Sequence, residues 1–86
     1  MASARWESER MRFDARHDGV LVNCAVLRLA LVDFAEVADT PANARAAFEG
    51  HADLVEAAAR GKIEREEFDS PSEIIIRLAD LEAVHG

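Results

Sequence analysis

With one thiol and three histidines in 86 residues, this chain offers few side chains for covalent or metal chemistry, and Cys24 is the first to weigh. A cysteine becomes a nucleophile when a neighbouring base or cation holds it as the thiolate. Cys24 instead falls on the apolar side of the alternating run Val20-Leu21-Val22-Asn23-Cys24-Ala25-Val26 with no histidine near it in sequence, which reads as a buried structural thiol. His17, His51 and His85 show none of the close spacings that helical or knuckle metal sites use, so no metal is expected. His17 flanks a turn, His51 lies along a helix and His85 sits in a terminal tail. Glu64, Glu66, Glu67 and Asp69 form a charge run of the kind that is usually solvated surface. No glycine-rich phosphate loop and no serine-histidine-aspartate arrangement is present. No catalytic residue and no cofactor is therefore assigned, and the chain is expected not to be an enzyme. An enzyme would need Cys24 or His51 in a pocket beside a base.

The remaining reactive feature is a set of arginines, and their placement depends on a hairpin. Arg10-Met11-Arg12-Phe13-Asp14-Ala15-Arg16-His17 and Val20 to Val26 are alternating runs joined by Asp18-Gly19. Asp-Gly suits a two-residue turn whose central residues both need positive φ. With that loop, His17 faces Val20, Ala15 faces Val22, Phe13 faces Cys24 and Met11 faces Val26, all on one face. Arg12 opposite Ala25, Asp14 opposite Asn23 and Arg16 opposite Leu21 then occupy the other. One register separates apolar from polar, and a slip of one residue would invert the whole set.

The elements that cover the hairpin follow from helical periodicity. Leu27, Ala30, Leu31, Phe34 and Ala38 predict a short helix from about Arg28 to Val37. Thr40 is placed to cap the next helix and Pro41 to occupy its first position. That helix is expected to be the longest element, burying Ala44, Ala47, Phe48, Leu54, Val55, Ala58, Ala59 and Ile63, with Arg45, Glu49, Asp53, Glu56 and Arg60 in water. Gly50 and Gly61 weaken it by about 1 kcal/mol each. Residues 66–72 read as a turn, with Phe68 beginning a short strand paired through it. Glu73 to Arg77 read as a strand on β-branched Ile74, Ile75 and Ile76, with Ile74 and Ile76 toward the helices and Ile75 and Arg77 away from them. Ala79 to Val84 read as a final helical turn or two. The fold class is thus α+β: a small antiparallel sheet, made of the N-terminal hairpin plus a C-terminal strand or hairpin, packed on one face by a short and a long helix. Residues 1–86 read as one domain, irregular over 1–8 and frayed over 84–86.

Several of these short motifs occur together in an order that resembles a known family. The order is Asp18-Gly19, Val22-x-Cys24-Ala25-Val26, Phe48 with Val55 seven residues on, Ala58-Ala59-x-x-Lys62-Ile63, and Ile75-Ile76-Arg77-x-Ala79-Asp80-Leu81. From about Arg10 onward it is similar to the small bacterial family catalogued as domain of unknown function 1488. The resemblance implies a compact α+β fold and brings no activity and no site residues with it. The chain departs where relatives tend to place a serine at Leu27 and a threonine at Leu78, removing two hydroxyls that would cap the helices that follow.

Size and charge bound the partners. At this length folding buries only about 60 to 65% of the unfolded chain's surface, so covering more of it in a second copy would add noticeably to stability. The net charge is −7, but residues 1 to 28 carry five basic and four acidic side chains, a balance of +1, and the remainder carries −8. An acidic total disfavours nonspecific nucleic-acid binding. The lone cysteine excludes an intrachain disulfide, no apolar N-terminal stretch resembles a signal peptide, and the run Ala25 to Ala35 is far shorter than the roughly 18 residues of a membrane span. A cytoplasmic location is expected. The candidate site is the outer sheet face, where Arg12, Arg16, Leu21, Ala25, Ile75 and Arg77 mix guanidinium groups with aliphatic surface. Arginine pairs bidentately with carboxylate or phosphate, so the expected partner is a second copy (a homodimer) or another protein. The alternative is an accessory role in binding nucleic acid or a phosphate ligand. Trp6 is expected either to cover this face or to pack at its edge.

Overall fold

Asp18 and Gly19 both take the left-handed conformation, at φ 52° and 79°, and reverse the chain between β2 (Arg10–His17) and β3 (Val20–Leu27). These strands pair antiparallel in the register expected from the sequence, from Met11 opposite Val26 to His17 opposite Val20. The protein is described here by a computed structural model, which covers residues 2–7, 9–70 and 73–85. Four helices follow in chain order: α1 (Arg28–Ala35), α2 (Pro41–Gly50), α3 (Ala52–Glu64) and, after strand β4 (Glu73–Ile76), α4 (Leu78–His85). A strand β1 (Ala2–Glu7) precedes the hairpin and pairs antiparallel with β2, so the N-terminal stretch expected to be irregular is an edge strand.

The sheet has the order β1-β2-β3-β4. The α+β class holds, but the sheet is mixed and not wholly antiparallel: β4 pairs parallel to β3, with Cys24 beside Ile74 and Val26 beside Ile76. A parallel neighbour requires a crossover, and here α1, α2 and α3 together form it. Phe68 begins no strand; the turn contributes only an isolated bridge between Ser70 and Glu73, and Pro71 and Ser72 lie outside the described residues.

The expected long helix is two. His51 leaves helical geometry at φ −120° and ψ 25° directly after Gly50, where a residue with no side chain weakens the helix most. The hydrogen bonds His51 N–H to Ala47 and Val55 N–H to His51 continue across the joint at 3.0 and 2.9 Å, so the ladder bends there. Thr40 caps α2 as expected, its hydroxyl accepting from the Asn43 amide with Pro41 in the first helical position. α1 ends at Ala35, two residues before the expected Val37, with Glu36 in the left-handed region. α4 continues through His85, so residues 84 and 85 are helical where fraying was expected, and Gly86 lies outside the described residues.

The core forms between the sheet and the helical layer. Met11, Phe13, Ala15, Cys24, Val26, Ile74 and Ile76 meet Leu31 of α1, Phe48 of α2, Val55, Ala59 and Ile63 of α3 and Leu81 of α4. Phe13 and Phe48 stack at 6.0 Å between centroids, tilted by 52°, an arrangement that contributes about 0.5–1.5 kcal/mol beyond area burial. Fully burying Ile74 and Ile76 contributes about 1.5–3 kcal/mol each.

Candidate functional site

On the sheet face opposite the core, register places Arg12, Ala25 and Ile75 in one row, Asp14, Asn23 and Glu73 in the next, and Arg16 beside Leu21 beyond them. The six residues singled out from the sequence do not behave alike. Ala25 is fully buried and cannot contact a partner. Its methyl lies on a central strand, flanked across the ladder by the longer Arg12 and Ile75, and this placement closes it off. Arg12 is half-buried and donates to Glu73 Oε2 at 2.6 Å, an oxygen that Arg10 also approaches at 3.8 Å. Arg77 is exposed and donates to Asp69 Oδ1 at 2.8 Å. Ile75 is half-buried, whereas Arg16 and Leu21 are exposed, Leu21 at 51%. Neither Asp14 nor Arg16 has an ion-pair partner among the described residues.

A second polar centre was missed by the sequence reading. Lys62 of α3 is buried, with 6% exposure, and its Nζ donates to the Ile75 carbonyl at 2.9 Å and to Asp80 Oδ2 at 3.3 Å, with Asp69 Oδ2 at 3.7 Å. Both carboxylates also hold backbone: Asp69 accepts from the Ile75 amide at 2.7 Å and Asp80 from the Arg77 amide at 2.8 Å. Partial desolvation alone would raise the Asp69 pKa. The Ile75 amide, the Arg77 side chain and the Lys62 charge outweigh it and bring the net value below the ordinary carboxylate range. The cluster ties the end of α3, the turn before β4 and the start of α4 together. The spacing Val55, Ala58/Ala59, Lys62 placed Lys62 on the buried stripe, a signal masked by its charge. The Asp80 bond also shows how α4 starts without the hydroxyl absent at Leu78. At Leu27 the side chain makes no cap either, and the first amide of α1, on Arg28, donates instead to the Glu9 carbonyl at 2.8 Å.

Of the other candidates, Cys24 is buried in the core, whereas His51 and His85 are exposed. Burial pushes the Cys24 thiol up to about 11, with Asp14 and Glu73 adding to the effect and a hydrogen bond with the Ala15 backbone opposing it. His51 and His85 converge edge-on upon Phe34, at centroid distances of 5.2 and 5.4 Å. They line a cleft with Asp33, Glu36 and Glu82. No group of three metal-ligating side chains occurs among the described residues. Trp6 packs at the edge of the helical side and does not cover the outer face: it pairs with core residue Met11 and lines a half-open groove with Arg28, Pro41, Ala42, Arg45, Ala46 and Glu49. Arg28 is held there by Asp39, and its other nitrogen lies 3.7 Å from Glu9.

A family model described as "Protein of unknown function (DUF1488)" matches residues 2–76, a span holding β1 through β4, the Trp6 groove, Lys62 and Asp69. The chain belongs to the DUF1488 family. A crystal structure of a DUF1488 protein of unknown function from Shewanella loihica PV-4 superposes on this DUF1488 chain with a TM-score of 0.76, at 23% identity over 88% of this chain and 87% of that one. At that identity the likeness establishes the fold. No curated protein matches. No helix among the described residues is long and apolar enough to cross a membrane.

Proposed function

We propose that this chain is a cytoplasmic, non-enzymatic interaction module that self-associates through the outer face of its sheet. The observation that carries the reading is the charge pattern along β2. Arg12 is matched by Glu73, whereas Asp14 and Arg16, two residues apart on the same face, have no ion-pair partner among the described residues. An unmatched anion and cation on one strand make a self-complementary surface, because a two-fold axis brings Arg16 of each copy to Asp14 of the other. Exposed Leu21 and half-buried Ile75 supply apolar area beside them, and arginine is enriched in such contacts. A phosphate-binding role has less support on this face, since Glu73 and Asp69 already engage Arg12 and Arg77.

Sedimentation equilibrium tests the proposal. The wild type is expected to dimerise, Arg16→Asp to be monomeric, and the swap Asp14→Arg with Arg16→Asp to recover the dimer. A wild type that stays monomeric at millimolar concentration, or an Arg16→Asp variant that associates as the wild type does, overturns it.

A further inference from the structure

The groove beside Trp6 has the size and lining of a small-molecule site. The half-open groove has a volume of about 610 Å3, within the range of roughly 300–1,000 Å3 typical of ligand pockets. Its apolar lining comes from Trp6 and from Pro41, Ala42 and Ala46 in the first turns of α2. Two guanidinium groups line it, and they differ in state. Arg28 is occupied by Asp39 with Glu9 nearby, so it forms a fixed wall whose charge is already met. Arg45 has no carboxylate partner among the described residues, and its planar fork suits a carboxylate ligand. Glu49 lies one helical turn further along the same lining and repels additional negative charge.

We infer that this groove binds a planar aromatic monocarboxylate, its ring against the Trp6 indole and its carboxylate on the Arg45 guanidinium. Ring stacking uses Trp6 and charge pairing uses Arg45, both in the groove lining, and Glu49 selects one negative charge over two. The site is separate from the outer sheet face, and the two proposals stand or fall independently.

The only tryptophan in the chain lines the groove, so its indole N–H resonance reports occupancy in nitrogen-15-labelled protein. Titration with 2-naphthoate is expected to shift that resonance saturably, and 2-naphthamide, the neutral isostere, to bind about tenfold more weakly, the loss of one charge-assisted pair. Acetate is expected to leave the resonance in place. The Arg45→Ala variant, changed at an exposed position, is expected to bind naphthoate no better than naphthamide, Ala46→Leu to block both by filling the groove, and Arg60→Ala, outside it, to bind as the wild type does. Naphthoate that leaves the indole resonance unmoved, naphthamide that binds equally well, or Arg45→Ala that binds naphthoate normally would overturn the inference. So would 2-naphthyl phosphate binding more tightly than naphthoate.

Discussion

Lys62 Nζ donates to the backbone carbonyl of Ile75 at 2.9 Å from a position with 6% exposure, so the longest helix is bolted to the parallel edge strand by a charge. Only the Lys62 end of the cluster is buried: Asp69 and Asp80 keep 19 and 21% side-chain exposure and Asp69 also pairs with Arg77, so water and Arg77 offset part of what removing Lys62 costs. Lys62→Met keeps the length and leaves Asp69, Asp80 and the Ile75 carbonyl without their shared donor. The expected loss is about 1–3 kcal/mol in urea unfolding. Adding Asp69→Asn and Asp80→Asn to Lys62→Met is expected to recover part of it, since both amides still accept from the backbone. A single variant within about 0.5 kcal/mol of wild type, the range of ordinary surface changes, would show that the cluster holds nothing.

Asp69 gives the cluster a pH dependence of defined sign. Its folded pKa lies below the ordinary carboxylate value, so the unfolded chain takes up the proton first as pH falls. The stabilisation is present above the unfolded value of about 3.9 and is lost as pH drops through the folded pKa. Urea midpoints measured between pH 6 and pH 2.5 should fall less steeply in Asp69→Asn than in wild type, with the variant already less stable at pH 6. Equal acid slopes in the two proteins would remove Asp69 as a source of that dependence.

Local chemistry made the hairpin legible. Asp18-Gly19 fixed the turn and the alternation of Met11, Phe13 and Ala15 fixed the register, so both strands and their faces could be assigned residue by residue. Thr40-Pro41 did the same for the start of α2. What escaped the reading depends on contacts between distant elements. Four residues, Glu73–Ile76, carry no mark of strand direction, and Ala2–Glu7 offers Trp6 as its only large apolar residue, too little alternation to announce a strand. Of the outer face, Arg16, Leu21 and the direction of Ile75 were readable. The burial of Ala25 and the capture of Arg12 by Glu73 were not, because both require β4 to lie beside β3. Lys62 was hidden by its own charge.

Two glycines should respond in opposite ways to the same substitution. At Gly50 an added Cβ meets nothing within 4 Å, and the residue ends a helix in ordinary backbone geometry. Gly50→Ala is expected to stabilise by about 0.5–1 kcal/mol through lower entropy of the unfolded chain. Gly19 also has open space but sits at φ +79°, where a side chain costs about 1–2 kcal/mol. Gly19→Ala should destabilise by about that amount, and paired thermal melts compare the two. A stabilising Gly19→Ala would mean that the turn relaxes out of its left-handed geometry.

Cys24 supplies the last check, on the buried side of the same hairpin. Its side chain is fully buried, Sγ lies 3.4 Å from the Val22 carbonyl, and burial pushes the thiol up to about 11 from its ordinary 9.0. The native protein therefore keeps the proton where the unfolded chain has lost it. The associated stabilisation is intact below about pH 9 and declines as pH rises toward 11; Cys24→Ser should show a shallower loss over that window from a lower starting stability. The thiolate is also the reactive form, so alkylation at pH 8 should proceed only through opening of the sheet, orders of magnitude slower than for a free thiol, and should accelerate in urea in step with unfolding. Rapid labelling of the folded protein at pH 8 would mean that the core face of β3 is open to solvent, which would remove the basis for assigning the opposite face to a partner.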